Sequence, residues 1–212
     1  MLRAVFFDFG GVILSSPFEA FNHYEAAQGL PANFIRSVNS VNPDDNAWAK
    51  LERSDISPVE FDDVFARESE ALGHRVPGAD VLSLLHGEIR PDMVHALDRI
   101  KEAGYVMACL TNNVLSDQPV AVDAADRLRQ DELRAVLARF DEVIESSKVG
   151  VRKPETRFYE IACAAVNVQP SECVFLDDLG INLKPAAAMG MQTIKVANST
   201  QALTELSQVL GL

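Results

Sequence analysis

Two adjacent carboxylates, Asp177 and Asp178, follow the apolar run Cys173-Val174-Phe175-Leu176. Side by side at the end of an apolar strand they repel each other. A hard divalent cation relieves that repulsion, and Mg²⁺ takes one or two protein carboxylates together with waters and phosphate oxygens. The plain alternative is a double-Asp turn. Another carboxylate, Asp8, ends the apolar run Ala4-Val5-Phe6-Phe7 and stands just before Gly10-Gly11. An ionised group there is costly unless paired, and the glycines let the backbone turn closely around a ligand; a helix-capping Asp8 is the bland reading. Thr111 and Asn112 offer a hydroxyl and an amide that suit a phosphate or cap the next turn. Lys153 precedes Pro154, which reads as the first turn of a helix. A cation opposes the helix dipole there, unless lysine and helix end share one anion; otherwise it is a solvated loop lysine. Asn182 completes the spacing Asp-Asp-x-x-x-Asn.

The elements that must hold these groups are short. Residues 4–7, 105–110, 142–145, 173–176 and 192–196 are mostly apolar on both faces, as in strands buried within a parallel sheet. Helical patterns at 91–103, 154–166, 181–189 and 200–210 lie between and after them. The alternation predicts a parallel α/β sheet. Every reactive residue then falls at a strand's C-terminal end or in the loop after it, the edge where open α/β sheets bind ligands. Residues 16–90 break the alternation and read as four or five helices. Ser16-Pro17-Phe18-Glu19 and Ser57-Pro58-Val59-Glu60 both fit a capping box. The expected organisation is a core of residues 1–15 and 91–212 and a helical cap of residues 16–90 over the sheet's C-terminal edge. The alternative is that these helices thicken one face. Trp48 and the stretch from Phe61 to Phe65 are expected in the cap's own core.

Composition removes several classes of partner. Among 212 residues, 31 are Asp or Glu and 19 are Lys or Arg, a formal charge of −12. Such a surface repels nucleic acid and anionic membranes. No apolar run reaches the length of a membrane span. Asp8 and the two glycines interrupt the apolar start before leader length is reached. Cys109, Cys163 and Cys173 form no CxxC pair and read as reduced thiols of a cytoplasmic protein. His74, His86 and His95 lack metal-ligand spacing. Nothing in the pattern speaks to oligomeric state.

The segments Val149-Gly150-Val151-Arg152-Lys153-Pro154-Glu155 and Phe175-Leu176-Asp177-Asp178-Leu179-Gly180-Ile181-Asn182-Leu183-Lys184-Pro185-Ala186 carry a resemblance. The chain resembles the haloacid dehalogenase-like hydrolase superfamily over essentially its whole length, in the branch with a helical cap after the first strand. It is similar in particular to the phosphatase-like N-terminal domain of soluble epoxide hydrolase and to the matching domain of acyl-CoA dehydrogenase family member 10. The resemblance implies a Rossmann-like core and Mg²⁺-dependent hydrolysis of a small phosphorylated metabolite through an aspartyl phosphate. Asp8 would be the nucleophile and a metal ligand, and the Gly10 carbonyl a second ligand. Thr111 and Asn112 would hold the phosphate and Lys153 neutralise it. Asp178 would bind the metal directly, Asp177 would support it, and Asn182 would steady the loop.

One position departs from the pattern. In active phosphatases of the superfamily the residue two after the nucleophile is usually a second Asp, which protonates the leaving oxygen and later activates water. Here it is Gly10. General acid–base catalysis contributes typically 10² to 10⁴-fold, roughly 3 to 5 kcal/mol. Three readings follow. The chain is a phosphatase whose substrate leaves easily, such as an acyl or sugar-1-phosphate, or whose proton comes from a water or from His23, Glu52 or Asp55 in the cap. It is a weakened member that binds phosphorylated ligands or a protein partner. Or it is a dehalogenase, a metal-free chemistry against which the Asp177-Asp178 pair argues. A phospho-acceptor receiver domain would carry its acidic pair after the first strand.

Overall fold

The structure, a computed structural model, describes residues 1–85, 87–112 and 124–212. His86, Asn113 and the side chain of Glu19 lie outside the described residues. Among the described residues, five parallel strands form one sheet: β1 (Ala4–Phe7), β2 (Val106–Thr111), β3 (Glu142–Glu145), β4 (Cys173–Asp177) and β5 (Gln192–Lys195), in the order β3-β2-β1-β4-β5. β1 is central, paired from Ala4 to Val106 on one side and to Cys173 on the other. Its residues are wholly buried because successive side chains enter opposite layers. Val5 and Phe7 join one core, and Ala4 and Phe6 the other. Full burial of a residue such as Phe6 or Phe7 stabilises the fold by roughly 1.5–3 kcal/mol.

Between β1 and β2 come α1 (Phe18–Ala27), α2 (Phe34–Ser40), α3 (Ala47–Glu52), α4 (Pro58–Ala71), α5 (Gly78–Ser83) and α6 (Pro91–Glu102). The first five surround a hydrophobic cluster of their own that includes Phe34, Phe61 and Phe65. Trp48 packs edge-on against Phe61 at 5.7 Å between centroids. The two chain segments joining this insertion to the sheet run side by side, with Ser15 N donating to Glu88 O (2.8 Å) and Arg90 N to Ile13 O (2.9 Å). Further along are α7 (Ala124–Leu137), α8 (Ser146–Val149), α9 (Thr156–Ala165), α10 (Gly180–Ala188) and α11 (Ser199–Leu210). α6 and α11 cover the Val5/Phe7 layer, and α9 and α10 the Ala4/Phe6 layer.

The strands and most helices fall where the apolar runs place them. Ser57 caps α4 as expected: Glu60 N donates to Ser57 Oγ (3.2 Å), and Ser57 N donates to Glu60 Oε2 (2.8 Å). Three local expectations change. Ser16 does not cap α1, whose preceding residue is Pro17 with no side-chain cap; the Ser16 hydroxyl points to Asp178 instead. Pro154 is not in a first helical turn. The Lys153–Pro154 bond is cis and α9 starts only at Thr156, so Lys153 does not sit at a helix end. α7 was absent from the expected helices.

Candidate active site

Asp8 follows β1, Thr111 and Asn112 end and follow β2, and Asp177 and Asp178 end and follow β4. Parallel pairing brings these strand ends to one edge. Lys153 reaches it from the loop after α8 and is almost fully buried, 1% exposed. Its Nζ lies 2.7 Å from Asp8 Oδ1 and 2.9 Å from Asp177 Oδ2. Buried charge is costly to leave unpaired, so this ammonium defines where the two carboxylates stand. Burial alone would lower the Lys153 pKa; the two carboxylates outweigh it and hold the ammonium above its ordinary value.

The three carboxylates have different surroundings. Asp177 is fully buried and accepts from Lys153 Nζ, from Leu179 N (2.8 Å) and from Asn182 Nδ2 (3.1 Å to each oxygen). The backbone of Asn182 is held in turn because its main-chain carbonyl accepts from the buried Tyr159 hydroxyl at 2.7 Å. Asp8 Oδ1 accepts from Phe9 N (2.7 Å) as well as from Lys153. Burial pushes the Asp8 carboxyl well above its usual range, against the pull of Lys153, and Asp177 and Asp178 add to the rise. Asp178 is half-buried, and burial followed by the Asp177 charge pushes it up to about 6. The Ser16 hydroxyl donates to its Oδ2 at 3.4 Å.

Asp8, Asp177 and Asp178 each offer an oxygen within 4.8 Å of the others. Three carboxylates against one ammonium leave about two uncompensated negative charges. A hard, all-oxygen donor set with that excess fits a divalent cation such as Mg²⁺. Asp177 already satisfies three donors, so Asp8 and Asp178 are the better direct ligands.

The two glycines differ. Gly11 has φ of 77°, and a Cβ there would overlap the Asp178 carboxylate. Gly11→Ala is therefore expected to cost about 1–2 kcal/mol for the left-handed backbone alone and to weaken cation affinity by displacing Asp178. Thermal unfolding with and without added Mg²⁺ checks both parts. Gly10 has an ordinary φ of −68° and ψ of 135°, and a Cβ on it would meet nothing within 4 Å.

The structure brings Asp8, Lys153, Asp177, Asp178 and Asn182 together through the contacts above. Thr111 is half-buried at the end of β2. The Asn112 side chain is turned to the protein: Oδ1 accepts from Lys153 N (2.9 Å) and Nδ2 donates to Lys153 O (3.0 Å) and to Glu52 Oε2 (3.3 Å). Of the inserted-helix residues considered as proton donors, His23 and Asp55 are exposed, and Glu52 is 6% exposed and reaches the sheet edge. Arg152, which pairs with Glu52 at 2.6 Å, went unassigned in the sequence although it adjoins Lys153 in the same segment. His74 and His95 are exposed, and the three cysteines are buried and free.

A family model described as a haloacid dehalogenase-like hydrolase matches residues 2–190. Acyl-CoA dehydrogenase family member 10 and bifunctional epoxide hydrolase 2, both of Mus musculus, are each 34% identical over 99% of this chain. The chain spans 19% of the first and 39% of the second. Phosphatase MT3486 of Mycobacterium tuberculosis is 30% identical over 94% of this chain and 89% of that protein. A solved HAD-family enzyme of Bacteroides thetaiotaomicron, in complex with magnesium and inorganic phosphate, superposes with a TM-score of 0.63 at 18% identity, covering 97% of this chain and 99% of that one. The superposition supports the fold, and the family match agrees with the strand-end placement of the carboxylates: this chain belongs to the haloacid dehalogenase-like hydrolase family.

Proposed function

We propose that the chain is a Mg²⁺-dependent phosphatase of small phosphorylated metabolites, working through an aspartyl phosphate on Asp8. The observation that carries this reading is the placement of Lys153 Nζ between Asp8 and Asp177, with Asp178 in the same cluster. The phosphatase relative supports the reaction class. Among the described residues, Phe9 N and the Lys153 ammonium both contact Asp8 at Oδ1, so we assign attack on phosphorus to Oδ2. As the new oxygen–phosphorus bond forms, the bond to the leaving oxygen breaks and that oxygen takes a proton from water. A second water then hydrolyses the aspartyl phosphate, releasing phosphate and restoring the carboxylate. This division replaces one hard step with two easier ones. Lys153 meets the phosphoryl charge, with Thr111 and Asn112 beside it. Asp177 and Asn182 hold Lys153 and the loop after β4. Mg²⁺, held by Asp8, Asp178 and the Gly10 carbonyl, would supply positive charge where a phosphate dianion faces three carboxylates. Residues 16–90 would act as a cap that excludes water and selects the ester. The free thiols support a cytoplasmic location, with neither nucleic acid nor membrane as partner.

Gly10 sets the substrate class. No side chain at this position donates a proton to the leaving oxygen, so turnover should favour phosphates with good leaving groups, such as acyl or sugar-1-phosphates. For a series of aryl phosphates, kcat/KM, which reports formation of the aspartyl phosphate, is expected to fall steeply as the leaving-group pKa rises. A Cβ at Gly10 meets nothing within 4 Å, and Gly10→Asp is expected to raise turnover of the poor leaving groups by about 10- to 100-fold, part of the usual acid–base contribution. A flat series, with no gain in the variant, would mean that another group already supplies the proton. Absence of turnover in protein that still binds Mg²⁺ and phosphate would assign the chain to phospho-ligand or protein binding.

A further inference from the structure

Glu52 links the inserted helices to the lysine of the reaction centre. It is the last residue of α3 and is buried. Trp48, one turn earlier on the same helix, is packed against Phe61 in the cap's cluster. On the opposite side, Glu52 Oε2 accepts from Asn112 Nδ2 at 3.3 Å. It also faces Arg152 Nε at 2.6 Å, an ion pair without directed hydrogen-bond geometry. Arg152 and Lys153 are the positive charges that act on this carboxylate. Burial nevertheless pushes it up to about 7, so holding a carboxylate here is costly.

What that carboxylate grips is informative. Asn112 closes two hydrogen bonds on one residue, to the N–H and the carbonyl of Lys153. Lys153 Nζ then spans Asp8 and Asp177. An unbroken series runs from the cap core through Glu52, Asn112 and Lys153 to the nucleophile. Two further contacts fasten the same boundary: Arg152 Nη1 donates to Pro43 O (3.0 Å) and Ser54 Oγ to Ser147 O (3.3 Å). An ion pair serving only adhesion would not need to bond the amide that holds Lys153.

We propose that Glu52 is a positioning residue: with the cap over the sheet edge, it holds Asn112, and through it Lys153, in register with Asp8. The proposal rests on the phosphatase reading for Lys153's role but not for its geometry, and two measurements separate the two. First, aryl phosphate kinetics of the full chain with Mg²⁺ compare Glu52→Ala, Glu52→Gln, Asn112→Ala and the double alanine variant. Misplacing a catalytic group by about an ångström costs up to about 10²-fold. Glu52→Ala is expected to lower kcat about 10- to 100-fold with KM little changed. Glu52→Gln, which keeps an acceptor for Asn112, should recover most of that. The double variant should be no slower than Asn112→Ala alone, because both act on one path. Losses that multiply, or an effect confined to KM, would overturn the proposal.

Second, amide hydrogen exchange is read at Lys153, whose N–H is held by Asn112 Oδ1, with Val5 N–H as an unaffected core control. Local opening sets this rate. Glu52→Ala should speed exchange at Lys153 at least about 10-fold, and Glu52→Gln should not. Unchanged exchange would overturn the proposal whether or not the chain turns over any ester. If the wild type proves inactive while exchange responds as expected, the phosphatase reading fails and the positioning role stands.

Discussion

Asp8→Asn is expected to lower kcat by about 10⁴-fold or more, at least about 5 kcal/mol of transition-state stabilisation. An amide at this position keeps the volume and accepts from Phe9 N and Lys153 as before, but it cannot form the acyl phosphate. The fold should survive. Asp8 is a buried carboxylate whose ionisation is opposed by burial and by its two acidic neighbours, and Lys153 retains Asp177 at 2.9 Å. In metal-free protein the variant is expected to be at least as stable as the wild type, because one of three converging negative charges is gone. Rapid acid quench after addition of an activated phosphate ester should trap one labelled phosphoryl group on the wild-type chain and none on the variant. Equal labelling would move the nucleophile elsewhere.

Lys153→Met carries the second large effect, and it falls on stability as well as rate. Methionine fills similar space without charge. Asp177 keeps Leu179 N and Asn182 Nδ2, and Asp8 keeps Phe9 N, but no ammonium remains between them. Removing one partner of a buried ion pair costs about 3–5 kcal/mol, because the remaining charge stays in low dielectric. Urea unfolding in the absence of metal should show a loss of that size. Added Mg²⁺, bound only by the folded state, should restore part of it. Activity should not return with the metal: losing a charge-stabilising donor is expected to reduce kcat by about 10²- to 10³-fold. The stabilisation from Lys153 should be uniform across neutral pH. Its folded pKa lies above the ordinary value, so the contribution is complete below the unfolded pKa and disappears only as strongly alkaline pH passes through the folded value.

Much of this arrangement was legible in the residues. The strands are short runs apolar on both faces, and Asp8, Thr111 and Asp177-Asp178 interrupt or follow such runs at their C-terminal ends; strand pairing does the rest. Patterns that one local motif could explain in two ways were less legible. Ser16 matches a capping box by spacing, yet its hydroxyl is oriented by Asp178. Pro154 matches a helix start, yet the helix begins at Thr156 and Lys153 answers to two carboxylates rather than a helix dipole. α7 went unread although Leu133, Val136 and Leu137 recur at helical spacing; Leu128 faces outward, so that spacing covers only its C-terminal half. The contact between Glu52 and Asn112 joins the inserted helices to the end of β2. No periodicity encodes such a pairing; only the packing of the insertion over the sheet edge creates it.

The chain carries a formal charge of −12, and Asp8, Asp177 and Asp178 converge where the proposed function would bring in a phosphate dianion. On that reading, a bound cation and Lys153 together would reverse the local sign. Calorimetric titration of inorganic phosphate, once with saturating Mg²⁺ and once with chelator, tests that reversal directly. Expected is phosphate binding with Mg²⁺ that weakens by at least about 100-fold, about 2.7 kcal/mol, when the metal is removed. Equal affinity in chelator would contradict the assignment of Asp8 and Asp178 as metal ligands.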